Sequence, residues 1–137
     1  MNIFATDPCP IKCAQYLDDK RVVKMCLETA QILSTVCGEG YRPTHKNHPV
    51  VKWAKDNYGW TLEHFMALSN EYYLRYGKIH KCNSLLKTFI DNRIETLGTP
   101  FVNCTTYKHI PDVHMAYKLY LNDKWDTDKR EPTWYRR

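Results

Sequence analysis

Val22, Cys26, Ala30, Leu33 and Cys37 recur every three or four residues, and that period constrains this chain more than any other feature. A helix turns by about 100° per residue, so the five side chains gather on one face. The spacing predicts an amphipathic helix from about Asp19 to Cys37. Gly38 and Gly40 follow it, and glycine enters the left-handed conformation that ends a helix at little cost.

The same reading extends along the chain. Residues 1–8 read as a short extended arm ending at Pro8, and Lys12–Asp18 as a brief helical turn. Asn47-His48-Pro49 reads as a helix start, with Asn47 as the cap and Pro49 in the first turn, where its missing N–H is harmless. Val50, Ala54, Tyr58, Leu62, Phe65, Ser69, Tyr72 and Tyr76 keep a helical register. Gly59 is expected to divide that run into a helix ending near Tyr58 and another from Trp60 to Tyr76, closed by Gly77. A further helix is predicted over Ile79–Leu97, then an irregular stretch over 99–111, a last helix over Asp112–Leu121 and a polar tail. No segment alternates as a half-buried strand does. The expectation is an all-α, compact single-domain bundle of about five helices over residues 1–137, with an irregular N-terminal arm and C-terminal tail.

At 137 residues the chain can bury one hydrophobic core. It has no apolar run near the roughly 18 residues that span a bilayer, and its start lacks the basic and apolar regions of a signal peptide. The expected compartment is therefore the cytoplasm, or that of a phage-infected bacterial host, with no membrane partner. Six scattered cysteines without a Cys-x-x-Cys pair fit buried thiols better than a disulfide scaffold. A formal charge of +5 with 13% aromatic residues suits a nucleic-acid surface, where cations meet phosphates and rings stack on bases. It equally suits a basic surface over an aromatic core.

Chemistry can be sought on the outer face of the first long helix, where Arg21, Lys24, Glu28, Gln31 and Thr35 fall together. A carboxylate between two cations can act as an acid or base beside a phosphate, its ionised form favoured by the neighbours. The same face also reads as a solvated surface carrying an i,i+4 Lys24–Glu28 pair. His45 with His48, and Cys9 with Cys13, have one-turn spacing, but no tight zinc signature is present, and no metal or cofactor is expected. Walker loops, dinucleotide fingerprints and Gly-x-Ser-x-Gly elbows are absent from the sequence. Trp134 and Tyr135, in a short polar tail, either dock back on the body or touch a ligand.

Asp19-x-Arg21 followed by Glu28 resembles the Asp-x-His…Glu helix of the phage pyrimidine-dimer DNA glycosylases, the endonuclease V type of UV-repair enzyme. Ile110-Pro111, a helical stretch and Pro132-Thr133-Trp134-Tyr135 resemble that family's C-terminal arrangement. A divergent phage subgroup is closer still, matched by Asp19-Lys20-Arg21-Val22-Val23-Lys24-Met25, Glu28-Thr29-Ala30-Gln31, Asn47-His48-Pro49 and Trp53-Ala54. The resemblance implies an N-glycosylase with abasic-site lyase activity on double-stranded DNA bearing a damaged or modified base. In that family a neutral N-terminal amine attacks C1′ and forms a Schiff base, a glutamate on the first long helix assists proton transfer, and basic residues hold the duplex. An α-amine suits the task because such amines titrate near neutrality, and extrusion of the nucleotide gives it access.

Carried over by position, Glu28 matches the catalytic glutamate. Asn2 stands where the family exposes a threonine after methionine removal; its bulk disfavours that removal, so Met1 supplies the amine. Arg21 replaces a histidine, and arginine does not exchange protons near neutral pH. Glu131 replaces an arginine. Lys20, Arg21, Lys24, Lys124, Lys129, Arg130, Trp134 and Tyr135 are the candidate DNA contacts, with Asp19, Gln31, His45 and His48 as further site candidates. Two other readings stay open. One is a DNA- or nucleotide-binding protein without catalysis on the same scaffold; the other is an enzyme that modifies phage DNA bases through Glu28 with His45 or His48. The oligomeric state is not encoded in any motif.

Overall fold

The stripe on the first long helix is wider than its sequence period. In the computed structural model, which describes residues 1–134, helix α2 (Asp19–Cys37) buries Met25, Thr29 and Ile32 beside Val22, Cys26, Ala30 and Leu33. The extra width arises because helices pack on it from more than one side. Helix α1 (Pro10–Tyr16) precedes it, and helices α3 (Pro49–Asp56) and α4 (Tyr58–Tyr76) follow and pack against it. Next come a 3₁₀ helix (Lys81–Leu85), helix α5 (Leu86–Asp91) and helix α6 (Val113–Thr127). The described residues are thus all helical or irregular, with no strand, and none of these helices is long and apolar enough to cross a membrane.

Two contiguous cores result. One joins the N-terminal residues to α1, α2, α3, α4 and α6 through Ile3, Leu17, Val22, Trp53, Leu68 and Tyr117. The other lies under the C-terminal half of α2 and is built from Leu33, Tyr58, Phe65 and Phe89.

Several boundaries differ from the expectation, each for a local reason. The N-terminal segment is irregular as expected, but it packs into the core: Ile3, Phe4 and Ala5 are buried. Burying an isoleucine or phenylalanine contributes about 1.5–3 kcal/mol, so core packing holds this strand-less segment in place. His48, rather than Asn47, caps α3, its Nδ1 accepting the Val50 N–H at 3.1 Å. Asn57, rather than Gly59, is the junction between α3 and α4. Its side chain donates to the Trp53 carbonyl and to Thr99 Oγ1, both at 2.9 Å. Gly59 lies inside the first turn of α4, where its N–H donates to Thr96 Oγ1 at 2.8 Å. A β-carbon there would stand 3.0 Å from that oxygen, so the glycine serves a close approach and not a helix end.

The helix expected over Ile79–Leu97 is realised only over Lys81–Asp91. Cys82 and Phe89 are buried as the period requires, but Leu97 is 69% exposed. Its segment has another use: the N–H groups of Leu97 and Gly98 both donate to the Asp56 carbonyl at the end of α3. Helix α6 begins where expected, with Asp112 capping His114 and Met115, but runs on to Thr127. Its extra turns carry Trp125, whose Nε1 donates to Asp18 at 2.8 Å.

Candidate active site

The outer face of α2 meets the N-terminus. The Met1 amine lies 3.9 Å from Glu28 Oε1, and Lys24 Nζ lies 3.7 Å from Glu28 Oε2. The three groups share a cleft of about 180 Å³ with Asn2, Phe4, Arg21, Tyr120 and Lys124. Glu28 is partly sheltered, its side chain 16% exposed, whereas Lys24 is 70% exposed.

The amine is fixed from beneath. The Met1 side chain is only 5% exposed and packs on the first core, leaving the amino group at the cleft. Asn2 then locks the turn: its Oδ1 accepts the N–H groups of Ile3 and Phe4 at 2.8 and 2.9 Å, and its Nδ2 donates to the Cys104 carbonyl at 3.0 Å. Cys104 is itself held by α6, since its N–H donates to the Tyr117 hydroxyl, which donates in turn to Val102. Phe4 sits at φ 42°, a conformation that non-glycine residues adopt at a cost of order 1 kcal/mol. The bonds from Asn2 and the burial of the Phe4 ring offset that cost.

Arg21 forms one wall as a neutralised cation. Its guanidinium binds Asp128 through two bonds, at 2.8 and 3.2 Å, and reaches Asp18 at 3.3 Å. Hydrogen bonding by Arg21 holds the Asp128 carboxyl below its ordinary range. Lys124 lies over the Tyr120 ring, 4.7 Å from its centre, and Tyr120 stacks on Phe4.

The other candidates fall elsewhere. Lys20 and Arg130 line a larger neighbouring cleft of about 730 Å³, which shares Lys24 with the first. Asp19 anchors the tail there: it accepts from Thr133 Oγ1 at 2.7 Å and from buried Arg75 at 3.1 Å. Lys129 is exposed in the bend after α6. Trp134 docks on the body, its Nε1 donating to the Tyr16 carbonyl and its ring set edge-on to Trp125. Tyr135 lies outside the described residues. Gln31 is half-buried one turn beyond Glu28. His45 is exposed beside Thr44, and His48 is spent on capping α3; neither lines the Met1–Glu28 cleft.

Among the described residues no three His, Cys, Asp or Glu side chains converge as a metal site. Burial raises the Cys13 thiol to about 11, so it stays protonated and is a poor ligand or nucleophile. Sequence reasoning missed the clamp by Asn2, the Asp128 partner of Arg21 and the Tyr120 wall. Asn2 carried a faint signal, since asparagine readily bonds the backbone two residues on. The pairing of Arg21 with Asp128 spans 107 positions and leaves no local trace.

A family model described as pyrimidine dimer DNA glycosylase matches residues 1–84. That stretch includes Met1, Asn2, Arg21, Lys24 and Glu28 and stops before α6 and the tail. No curated protein and no solved structure matches the chain.

Proposed function

The chain belongs to the pyrimidine dimer DNA glycosylase family, and from that premise we propose that it excises a damaged base from double-stranded DNA with the Met1 α-amine as nucleophile and Glu28 as the group that moves protons. DNA is the substrate the family acts on. The observation that carries the finer reading is the 3.9 Å approach of the Met1 nitrogen to Glu28, on a chain segment held by the core below and by Asn2 beside it.

The chemistry follows from that pair. The unprotonated amine donates its lone pair to C1′ of an extruded nucleotide, and the bond from C1′ to the base breaks, its electron pair leaving with the base. The base takes up a proton. Loss of the amine proton and opening of the sugar ring, with protonation of its ring oxygen, give an iminium between the Met1 nitrogen and C1′. That electron sink acidifies C2′; removal of its proton expels the 3′ phosphate and cuts the strand, and water then releases the enzyme. A carboxylate beside the nitrogen is suited to accept the amine proton and later the C2′ proton. It also balances the positive charge of the iminium. Lys24 and Lys124, flanking the cleft, are suited to neighbouring phosphates. Arg21, where the family carries histidine, is paired with two carboxylates; its role in this reading is to shape the wall and hold the end of α6, not to transfer protons.

The test is strand cleavage of an ultraviolet-irradiated duplex by the Glu28→Gln variant. The reading expects cleavage to fall about 10²–10⁴-fold while affinity for the duplex changes only a few-fold. Cleavage at the wild-type rate would refute it.

A further inference from the structure

Between Glu39 and Asp56 the sequence contains Arg42, Lys46, Lys52 and Lys55 and no acidic residue. These four cations stand against a net charge of +5 for the whole chain, so much of the basic excess is concentrated in one short stretch. Three of them, Lys46, Lys52 and Lys55, are exposed and line a groove of about 350 Å³ with Thr35, Asn47 and Val51. Among the described residues none of the three lysines forms an ion pair.

The groove is built on fixed parts. Lys52 and Lys55 are three apart on α3 and share a face. The loop that carries Lys46 is tied to α2, the Thr44 N–H donating to Thr35 Oγ1 at 3.0 Å and that hydroxyl reaching the Thr44 carbonyl at 3.3 Å. Val51, 3% exposed, closes the floor. Three ammoniums held around one trough without a carboxylate partner repel one another unless a polyanion lies between them.

The position of the groove indicates which polyanion. Thr35 lies on the same face of α2 as Glu28, two turns further on, which is about 10 Å along the helix axis. A strand of duplex DNA advances about 3.4 Å per nucleotide, so 10 Å corresponds to about three nucleotides. We propose that Lys46, Lys52 and Lys55 grip the sugar-phosphate backbone of the duplex flank on one side of the reacting nucleotide, about three steps from it, without regard to sequence. The inference rests on the reading of the Met1–Glu28 cleft as the reacting position only for its distance and side. The grip itself rests on DNA as the substrate.

The experiment compares the wild-type chain with the triple variant Lys46→Ala, Lys52→Ala and Lys55→Ala. Affinity for an undamaged duplex of more than 20 base pairs is measured as a function of salt, which requires no chemistry. Three lost phosphate contacts lower the slope of log K against log[salt] by about 2.7, and weaken binding by about 500-fold at 0.1 M salt. Two further duplexes carry an abasic site near one end or the other. The variant is expected to match the wild type on the duplex that lacks the gripped flank and to bind the other more weakly. An unchanged salt slope, or an equal loss on both asymmetric duplexes, overturns the proposal. Absence of strand cleavage by the wild type, with the slope difference intact, would count against the catalytic reading and leave the groove standing.

Discussion

At the scale of the residue, the proposed chemistry depends on where one nitrogen is held. Asn2 fixes the backbone of Ile3 and Phe4 and ties it to Cys104, so in the proposed mechanism it is a positioning residue for the Met1 amine. Asn2→Leu keeps a bulky second residue and removes all three bonds. The expected result is a fall in the rate of abasic-site cleavage of about 10²-fold, the scale set by a misplacement of roughly 1 Å, with little change in the KM for DNA. Asn2→Asp retains the acceptor for Ile3 and Phe4 and loses the donor to Cys104, so it falls between the two. Single-turnover kinetics on abasic duplex checks both, and equal rates for Leu and wild type would remove the clamp from the account. The sequence made Glu28, Arg21 and Lys24 legible because helical period puts them on one face. It showed Asn2 only as a departure from a threonine, because the bond to Cys104 crosses 102 positions and no local pattern encodes it.

At the scale of the element, helices with local stop signals could be read and those ended by distant partners could not. The limits of α2 follow from its period and from Gly38, which sits at φ 79° with its N–H bonded to the Ser34 carbonyl. The stretch after Asp91 keeps some apolar period, yet its backbone is recruited to cap α3. Contact between α1 and α4 hides a second feature. His64, on α4, is 1% exposed, with Nδ1 3.1 Å from the Pro10 carbonyl, and among the described residues its Nε2 has no partner. Burial lowers its pKa from 6.5 to about 4, against a smaller opposing contribution from the Pro10 bond. The unfolded chain therefore binds the proton first. Stability from keeping this ring neutral is whole above about 6.5, declines as the pH falls, and is lost by about 4, a change of about 3 kcal/mol. Urea unfolding of wild type and His64→Gln at pH 7 and pH 4.5 checks this. The wild type is expected to lose more stability between the two, and parallel losses would contradict it.

At the scale of the whole molecule, both ends of the described chain meet α2, the tail at its start and Met1 near its middle. Met1 reaches Glu28 from one side. On the other, Thr133 binds Asp19, Trp125 binds Asp18 and Asp128 binds Arg21, so the tail closes beside the cleft. Helical class and the central helix were legible from period and composition. The closure was not, because it is made by side chains more than a hundred positions apart. The proposed mechanism turns on the atom that attacks the sugar. Borohydride reduction of the protein with an abasic duplex, followed by peptide mapping of the adduct by mass spectrometry, identifies that atom. The predicted result is one stable adduct, carried on the Met1 α-nitrogen and strongly reduced in Asn2→Leu. No adduct, or an adduct on a lysine side chain such as Lys24 or Lys124, would contradict the account.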